Sequence, residues 1–166
     1  MNYKNFFLVP LLLFISLTSQ GSERNSVAYE FNKTGMYYLN KGDPESASGY
    51  FIKAVIAEPS NKYYSNNMAA SLMRRGDYSG AEKFLIHAIE LDAEYTRALS
   101  NMSITLFYLG RYSEAYKYYV RSLQTDSRYT KKRFEKRKVR ATIRRISNKD
   151  PDNENLKRIL EYLDKD

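Results

Sequence analysis

The sequence predicts an all-α protein, namely a solenoid of three helix pairs followed by a C-terminal capping helix pair. Two observations lead to this prediction: a 34-residue repeat and a composition poor in turn formers. The chain has 166 residues, 43% hydrophobic and 28% charged, which is typical of a folded domain. Seven glycines and four prolines are few for a turn-rich β protein. The absence of cysteine and the single histidine exclude disulfides, Cys-ligated metals and thiol catalysis.

Residues 1–21 have the layout of a secretory signal peptide. Lys4 precedes an apolar run of twelve residues, Phe6 to Leu17, and small residues follow before position 22. The run is shorter than the roughly 20 apolar residues of a membrane span. We therefore expect an exported protein, in the periplasm or outside the cell, with a short lead at 22–27. The alternative is a retained signal anchor that holds the protein on a membrane.

A repeat of 34 residues organises the body of the chain. Equivalent positions recur in three copies that follow one another without insertion. The repeated columns are Gly42, Gly76 and Gly110, then Ala47, Ala81 and Ala115, then Phe51, Leu85 and Tyr119. Small and apolar columns in phase indicate structural repeats at 28–61, 62–95 and 96–129.

Each repeat is predicted to contain two helices. In the first repeat, Gly42 ends the first helix, where a left-handed C-cap is favoured. Asp43-Pro44 then supplies an N-cap and a first-turn proline for the second helix. Small residues at Gly35 and Ala47 let the two helices approach closely, and Phe51 is expected to fill the gap beside them.

These residues resemble the signature of the tetratricopeptide repeat (TPR) family, which reads W-x2-L-G-x2-Y, then A-x3-F, then P. The matching residues are Phe31-x2-Thr34-Gly35-x2-Tyr38, Ala47-x3-Phe51 and Pro59. The later repeats depart from it at the closing proline, replaced by Ala93 and Ser127, and at the opening aromatic, replaced by Ser65 and Leu99. The resemblance covers 28–129 and implies a right-handed α-solenoid. It also implies a non-enzymatic scaffold without cofactor, whose concave surface binds a peptide or a partner helix.

A second face of each first helix points away from the predicted packing face and would line that concave surface. The candidate groove residues are Tyr29, Lys33, Met36, Asn40, Tyr63, Asn67, Ala70, Arg74, Arg97, Asn101, Ile104 and Tyr108, extended by Lys131 and Lys138. Amides hydrogen-bond to a peptide backbone, tyrosines offer flat apolar area, and the cations favour a partner of acidic character. The alternative is that these are ordinary solvent-facing residues.

One subtype of the family binds C-terminal carboxylates of chaperones through a clamp of basic and Asn residues. Asn67 and Arg97 match places in that clamp, whereas Asn32, Met36 and Asn101 occupy the others. The chaperone specificity is therefore not carried over to this chain.

The formal charge of +8 is concentrated in the predicted cap, 130–166. Residues 130–149 hold ten basic side chains and one acidic one, Glu135. One helix is expected from about Thr130 to Ile146. A last helix follows, and its apolar residues Leu156, Ile159, Leu160 and Leu163 are expected to pack on Val139, Ile143 and Ile146. The candidate anionic-binding patch comprises Lys131, Lys132, Arg133, Lys136, Arg137, Arg140, Arg144 and Arg145.

The predicted function is an exported protein-interaction adaptor, and two rivals remain open. In the first, the basic helix 131–149 binds an anionic membrane or polyanion. The same charges could instead only keep the cap soluble and pair partly with the acidic last helix. In the second, the chain is an accessory subunit that docks onto an envelope complex by its convex face. Nucleic acid is not expected, because Phe134 is the sole aromatic interleaved with the basic run. His87 is expected to be exposed and without a catalytic role.

Overall fold

The computed structural model describes residues 26–154, 156, 157, 160 and 161, and their only regular secondary structure is helical. The predicted signal peptide lies outside the described residues, as does most of the predicted lead at 22–27. The helices are α1 (26–40), α2 (Pro44–Ala57), α3 (Lys62–Arg75), α4 (Tyr78–Leu91), α5 (Thr96–Tyr108), α6 (Tyr112–Thr125), α7 (Ser127–Arg133) and α8 (Lys136–Ser147). Helical residues follow again between 154 and 161. The predicted all-α class is confirmed.

The chain divides into two compact units. Residues Met1–Ala93 contain α1 to α4, and Glu94–Asp166 contain α5 to α8 with the C-terminal residues. In the first unit, α3 packs against both α2 and α4. In the second unit, α5 packs along α6, and α7 contacts both of them. Each unit therefore builds its core from helices that lie near one another in the sequence.

The repeated glycines end the first helix of each pair. Gly42, Gly76 and Gly110 have φ of 82°, 82° and 78°, the left-handed region that glycine adopts without steric cost. One residue later, the Asp43 and Asp77 carboxylates accept hydrogen bonds from the backbone N–H groups of Ser46 and Gly80. These caps explain why α1 and α3 end, and α2 and α4 begin, where the sequence predicts.

Gly35 and Phe51 lie close together inside the first helix pair. Phe51 is fully buried, as are the neighbouring small residues Ala47 and Ala54. A Cβ atom added at Gly35 would lie 2.6 Å from the Cδ1 and Cε1 atoms of the Phe51 ring. The predicted close approach of the two helices, with Phe51 beside the glycine, is therefore confirmed.

The predicted single helix from Thr130 to Ile146 is wrong, because the chain turns at Phe134 and Glu135 between α7 and α8. Glu135 has an extended backbone, with φ −50° and ψ 122°. The Phe134 ring packs edge-on against Tyr119, with ring centroids 5.1 Å apart. This aromatic contact with α6 and the extended residue after it accompany the change of helix direction.

Leu156 and Leu160 pack on α8 as predicted, whereas Ile159 and Leu163 of the same predicted stripe lie outside the described residues. Ile143 and Leu156 are buried together, and Val139, Ile146 and Leu160 lie against them. Phe107 of α5 and Tyr112 of α6 complete this cluster, which the sequence did not indicate. The cluster places one side of α8 in the core of the second unit.

Candidate functional site

The candidate groove of the first unit lies on α1 and α3, which are joined by two long-range hydrogen bonds. The amide nitrogen Nδ2 of Asn67 donates to Oδ1 of Asn32 at 2.8 Å. Nη1 of Arg74 donates to the backbone carbonyl of Leu39 at 2.6 Å. Because the two bonds lie about two helical turns apart along α3, they fix how α3 sits against α1.

Large side chains on these two helices remain in solvent. Tyr29 is 56% exposed, Met36 36% and Tyr63 53%. Lys33 and Asn40 are exposed as well, whereas Ala70 is half-buried. Tyr29 and Tyr63 hold the same repeat position on the two first helices, so the first unit presents one exposed tyrosine from each.

The sequence predicts that the polar side chains on this face are hydrogen-bond donors open to a ligand. In the structure, not all of them are. Asn67 is half-buried and donates to Asn32, and Arg74 is exposed but already donates to a carbonyl. Lys33 remains on the surface, with its Nζ 3.6 Å from the Glu30 carboxylate. Sequence reasoning missed the two interhelix bonds because each joins residues on different helices, 35 positions apart.

The candidate groove residues of the second unit differ from one another in their exposure to solvent. Arg97, Lys131 and Lys138 are exposed, whereas Ile104 and Tyr108 are half-buried. Asn101 is only 5% exposed, and its Oδ1 accepts a hydrogen bond from Nη2 of Arg133 at 2.6 Å. The expectation that Asn101 faces solvent is therefore wrong, because a side chain from α7 reaches over its amide.

We expect Asn101→Ala to lower the free energy of unfolding by about 1–3 kcal/mol, since it removes a buried hydrogen-bond acceptor and leaves unfilled volume. The measurement is chemical denaturation followed by circular dichroism. Asn40→Ala, at an exposed position, is the control and should change stability by less than about 0.5 kcal/mol. Equal effects of the two substitutions would contradict the buried role of Asn101.

The candidate anionic patch separates into exposed and partly covered cations. Lys131, Lys132, Arg133, Arg137, Arg144 and Arg145 are exposed, whereas Lys136 and Arg140 are half-buried. Nζ of Lys138 lies 2.9 Å from the Glu135 carboxylate, and this hydrogen bond holds the pKa of Glu135 below its ordinary value. Glu135 is therefore ionised at neutral pH and offsets part of the positive charge where α8 begins.

His87 is half-buried, so the expectation that it is exposed is wrong. Its Nδ1 lies 2.8 Å from the Ser65 hydroxyl, and Ser65 is fully buried. This contact joins α3 to α4. Within the described part of the chain, no three His, Cys, Asp or Glu residues come together as a metal site.

The described helices include none that combines the length and the apolar character needed to cross a bilayer. This observation concerns the body of the protein, since the apolar run at Phe6 to Leu17 lies outside the described residues.

Solved structures of TPR domains resemble this chain. The first TPR of Spaghetti (RPAP3), bound to the HSP90 peptide SRMEEVD, is 22% identical, with a TM-score of 0.61 over 84% of this chain and 91% of that chain. The Arabidopsis OM64 TPR domain is 21% identical, with a TM-score of 0.65 over 69% and 95%. The TPR2B domain of yeast Sti1, in its complex with pHsp70, is 21% identical, with a TM-score of 0.60 over 62% and 82%. These matches confirm the predicted TPR fold.

No curated protein matches the chain in sequence. A family model does match, the one described as coatomer epsilon subunit, over residues 45–149. The match runs from the first turn of α2 to just past α8 and covers more than half of the chain. The chain therefore belongs to the coatomer epsilon subunit family.

Proposed function

We propose that this protein is a non-enzymatic scaffold that binds a peptide or partner segment of acidic character on its first helices, outside the cytoplasm. The observation that supports this most directly is the face of the first unit. There, α1 and α3 are held together by the Asn67–Asn32 and Arg74–Leu39 bonds. The same two helices leave Tyr29, Met36 and Tyr63 in solvent.

The chemistry of that face suits recognition of another protein. Tyrosine and methionine are enriched at protein interfaces, and tyrosine orders only two side-chain torsions when it is covered. A partner segment lying across α1 and α3 would meet two tyrosines on a platform that is already fixed, so binding would not have to order the helices. Lys33 and Arg74 on the same helices favour carboxylates on that segment.

The solved TPR structures support the same use of the fold. The RPAP3 domain holds an HSP90 peptide, and the Sti1 domain is in complex with pHsp70. We infer a segment of acidic character for this chain from its own cations. We infer export from the apolar run that follows Lys4.

The proposal predicts that the double change Tyr29→Ala with Tyr63→Ala weakens partner binding about tenfold or more, because tyrosine is enriched among the interface residues whose truncation costs about 2 kcal/mol or more. The partner is obtained by crosslinking and pull-down from an envelope fraction. Its affinity is then measured by calorimetry against wild type and variant. Melting temperatures should agree within a few degrees, since both rings are more than half exposed.

The matched control is Tyr116→Ala, a tyrosine of α6 that is 67% exposed. This change should leave partner binding at the wild-type level. If Tyr116→Ala weakens binding and the Tyr29 and Tyr63 double variant does not, the partner does not lie on the first helices.

That outcome would favour a second candidate function, an accessory subunit that docks by its second helices. Exposed apolar side chains on those helices support it: Ile56 of α2 is 72% exposed, and Ile86 of α4 is 43% exposed. The name of the family also describes a subunit of an assembly. Crosslinks from α2, α4 or α6, in place of α1 or α3, would identify this mode.

A further inference from the structure

Helix α8 has two sides of opposite character. On one side, Val139, Ile143 and Ile146 pack into the core of the second unit. On the other side, the helical repeat brings Arg137, Lys138, Arg144 and Arg145 together around Ala141, and all five residues are exposed. We call the four cations the basic face of α8.

Positive charge outweighs negative charge in this part of the chain, with a net +9 over residues 130–149 against a net −3 over residues 150–166. Glu135 bonds to Lys138 at one end of it. Beyond the other end, Asp150 accepts a hydrogen bond from Asn153, and Glu154 pairs with Lys157. Residues 130–149 as a whole carry ten basic side chains and one acidic one. The face therefore presents a concentrated positive charge, which attracts an anionic surface.

We propose that the basic face of α8 docks the protein onto a lipid bilayer that contains anionic phospholipids. The face lacks the apolar and aromatic side chains that form the centre of a protein interface, and it has no aromatic platform for stacking bases. A fluid layer of anionic head groups needs only accessible charge, which long, exposed Lys and Arg side chains supply.

Two further observations define this docking. The apolar side of α8 is already buried among Phe107, Tyr112 and Leu156, so the helix lies on the head groups and does not insert. The apolar run from Phe6 to Leu17 directs the chain to a membrane in both of its predicted fates, as a signal peptide or as an anchor. The surface lies on a different helix from the peptide-binding face, so the inference goes beyond the proposed function.

The test measures partition of the full chain onto vesicles of phosphatidylglycerol and phosphatidylcholine, compared with phosphatidylcholine alone. The α8 variant replaces the four cations with glutamine: Arg137→Gln, Lys138→Gln, Arg144→Gln and Arg145→Gln. Each cation near an anionic surface strengthens binding about fivefold, so we expect the variant to lose about a hundredfold or more. Partition onto phosphatidylcholine should not change, because the N-terminal apolar run is the same in both proteins.

The matched control removes the same number of charges from exposed lysines outside α8: Lys41→Gln, Lys53→Gln, Lys83→Gln and Lys117→Gln. The control should lose much less than the α8 variant on anionic vesicles. A charge-conserving variant, with Arg137, Arg144 and Arg145 changed to lysine, should bind like wild type. Wild-type binding should weaken as added salt shortens the Debye length from about 10 Å at 0.1 M to about 3 Å at 1 M.

Circular dichroism checks that helicity is kept. If the α8 variant loses helicity, the smaller change of Arg137 and Arg144 to glutamine decides the question, with an expected loss of about 25-fold. Equal losses in the α8 variant and the control would overturn the proposal. So would a wild-type protein with no preference for anionic vesicles. Tighter binding to a duplex oligonucleotide than to vesicles, lost in the α8 variant, would overturn it in favour of a nucleic-acid surface.

Discussion

Phe51→Ala is expected to lower the free energy of unfolding by about 3–5 kcal/mol, one of the largest effects that a single substitution has in this chain. Phe51 is fully buried between α1 and α2, and no small shift of its alanine neighbours fills the volume of a lost ring. The measurement is guanidinium denaturation, with amide hydrogen exchange to place the loss in α1 and α2. Ile56→Ala, on the same helix but largely exposed, should cost less than about 0.5 kcal/mol.

The contact between Gly35 and Phe51 can be tested by a double-mutant cycle. Gly35→Ala alone should destabilise by about 1–3 kcal/mol, because its Cβ would stand 2.6 Å from the Phe51 ring. In the double variant with Phe51→Ala the ring is gone, and the added methyl group has room. The double variant should therefore lose less stability than the sum of the two single variants. Strictly additive losses would contradict the close contact.

This packing could be predicted from the sequence because it is local and repeated. The spacing from Gly35 to Phe51 lies within one helix pair, and the second and third repeats carry small and apolar residues at the equivalent places. Gly42 and Asp43 add turn and cap signals whose physical preferences are strong. Three copies of one short-range pattern indicate a fold that depends on short-range contacts.

The turn between α7 and α8 could not be predicted by the same reasoning. Residues 130–146 include many good helix formers and no Gly or Pro, so local propensity favours one helix. The Phe134 ring instead packs on Tyr119, fifteen positions earlier in the chain. That tertiary contact overrides propensity, and a pattern of helix formers does not show where a neighbouring aromatic stands.

In the candidate site, too, the sequence pattern does not predict which side chains meet a neighbouring helix. Asn67 and Asn101 occupy equivalent repeat positions, so the periodicity assigned them the same face. In the structure, Asn67 is half-buried beside Asn32, whereas Asn101 is buried beneath Arg133. Periodicity predicts the direction in which a side chain points from its helix. The neighbour that it meets there depends on the adjacent helix.

Ile143→Ala is expected to lower the free energy of unfolding of the second unit by about 2–5 kcal/mol. Ile143 is 2% exposed and lies at the centre of the cluster with Leu156, Val139 and Ile146. Its removal leaves a cavity where α8 meets the last helical residues. Hydrogen exchange should therefore quicken first in α8 and after it, with α3 and α4 unchanged.

The control is Arg137→Ala, on the exposed side of the same helix, which should change stability by less than about 0.5 kcal/mol. Comparing the two changes separates the two sides of α8, since Ile143 attaches the helix to its core and Arg137 faces solvent. If Arg137→Ala proved as destabilising as Ile143→Ala, the basic face would be part of the fold. It would then not be available to an anionic surface. If only Ile143→Ala destabilises, the fold does not depend on the Arg137 side chain, which is then available to an anionic surface.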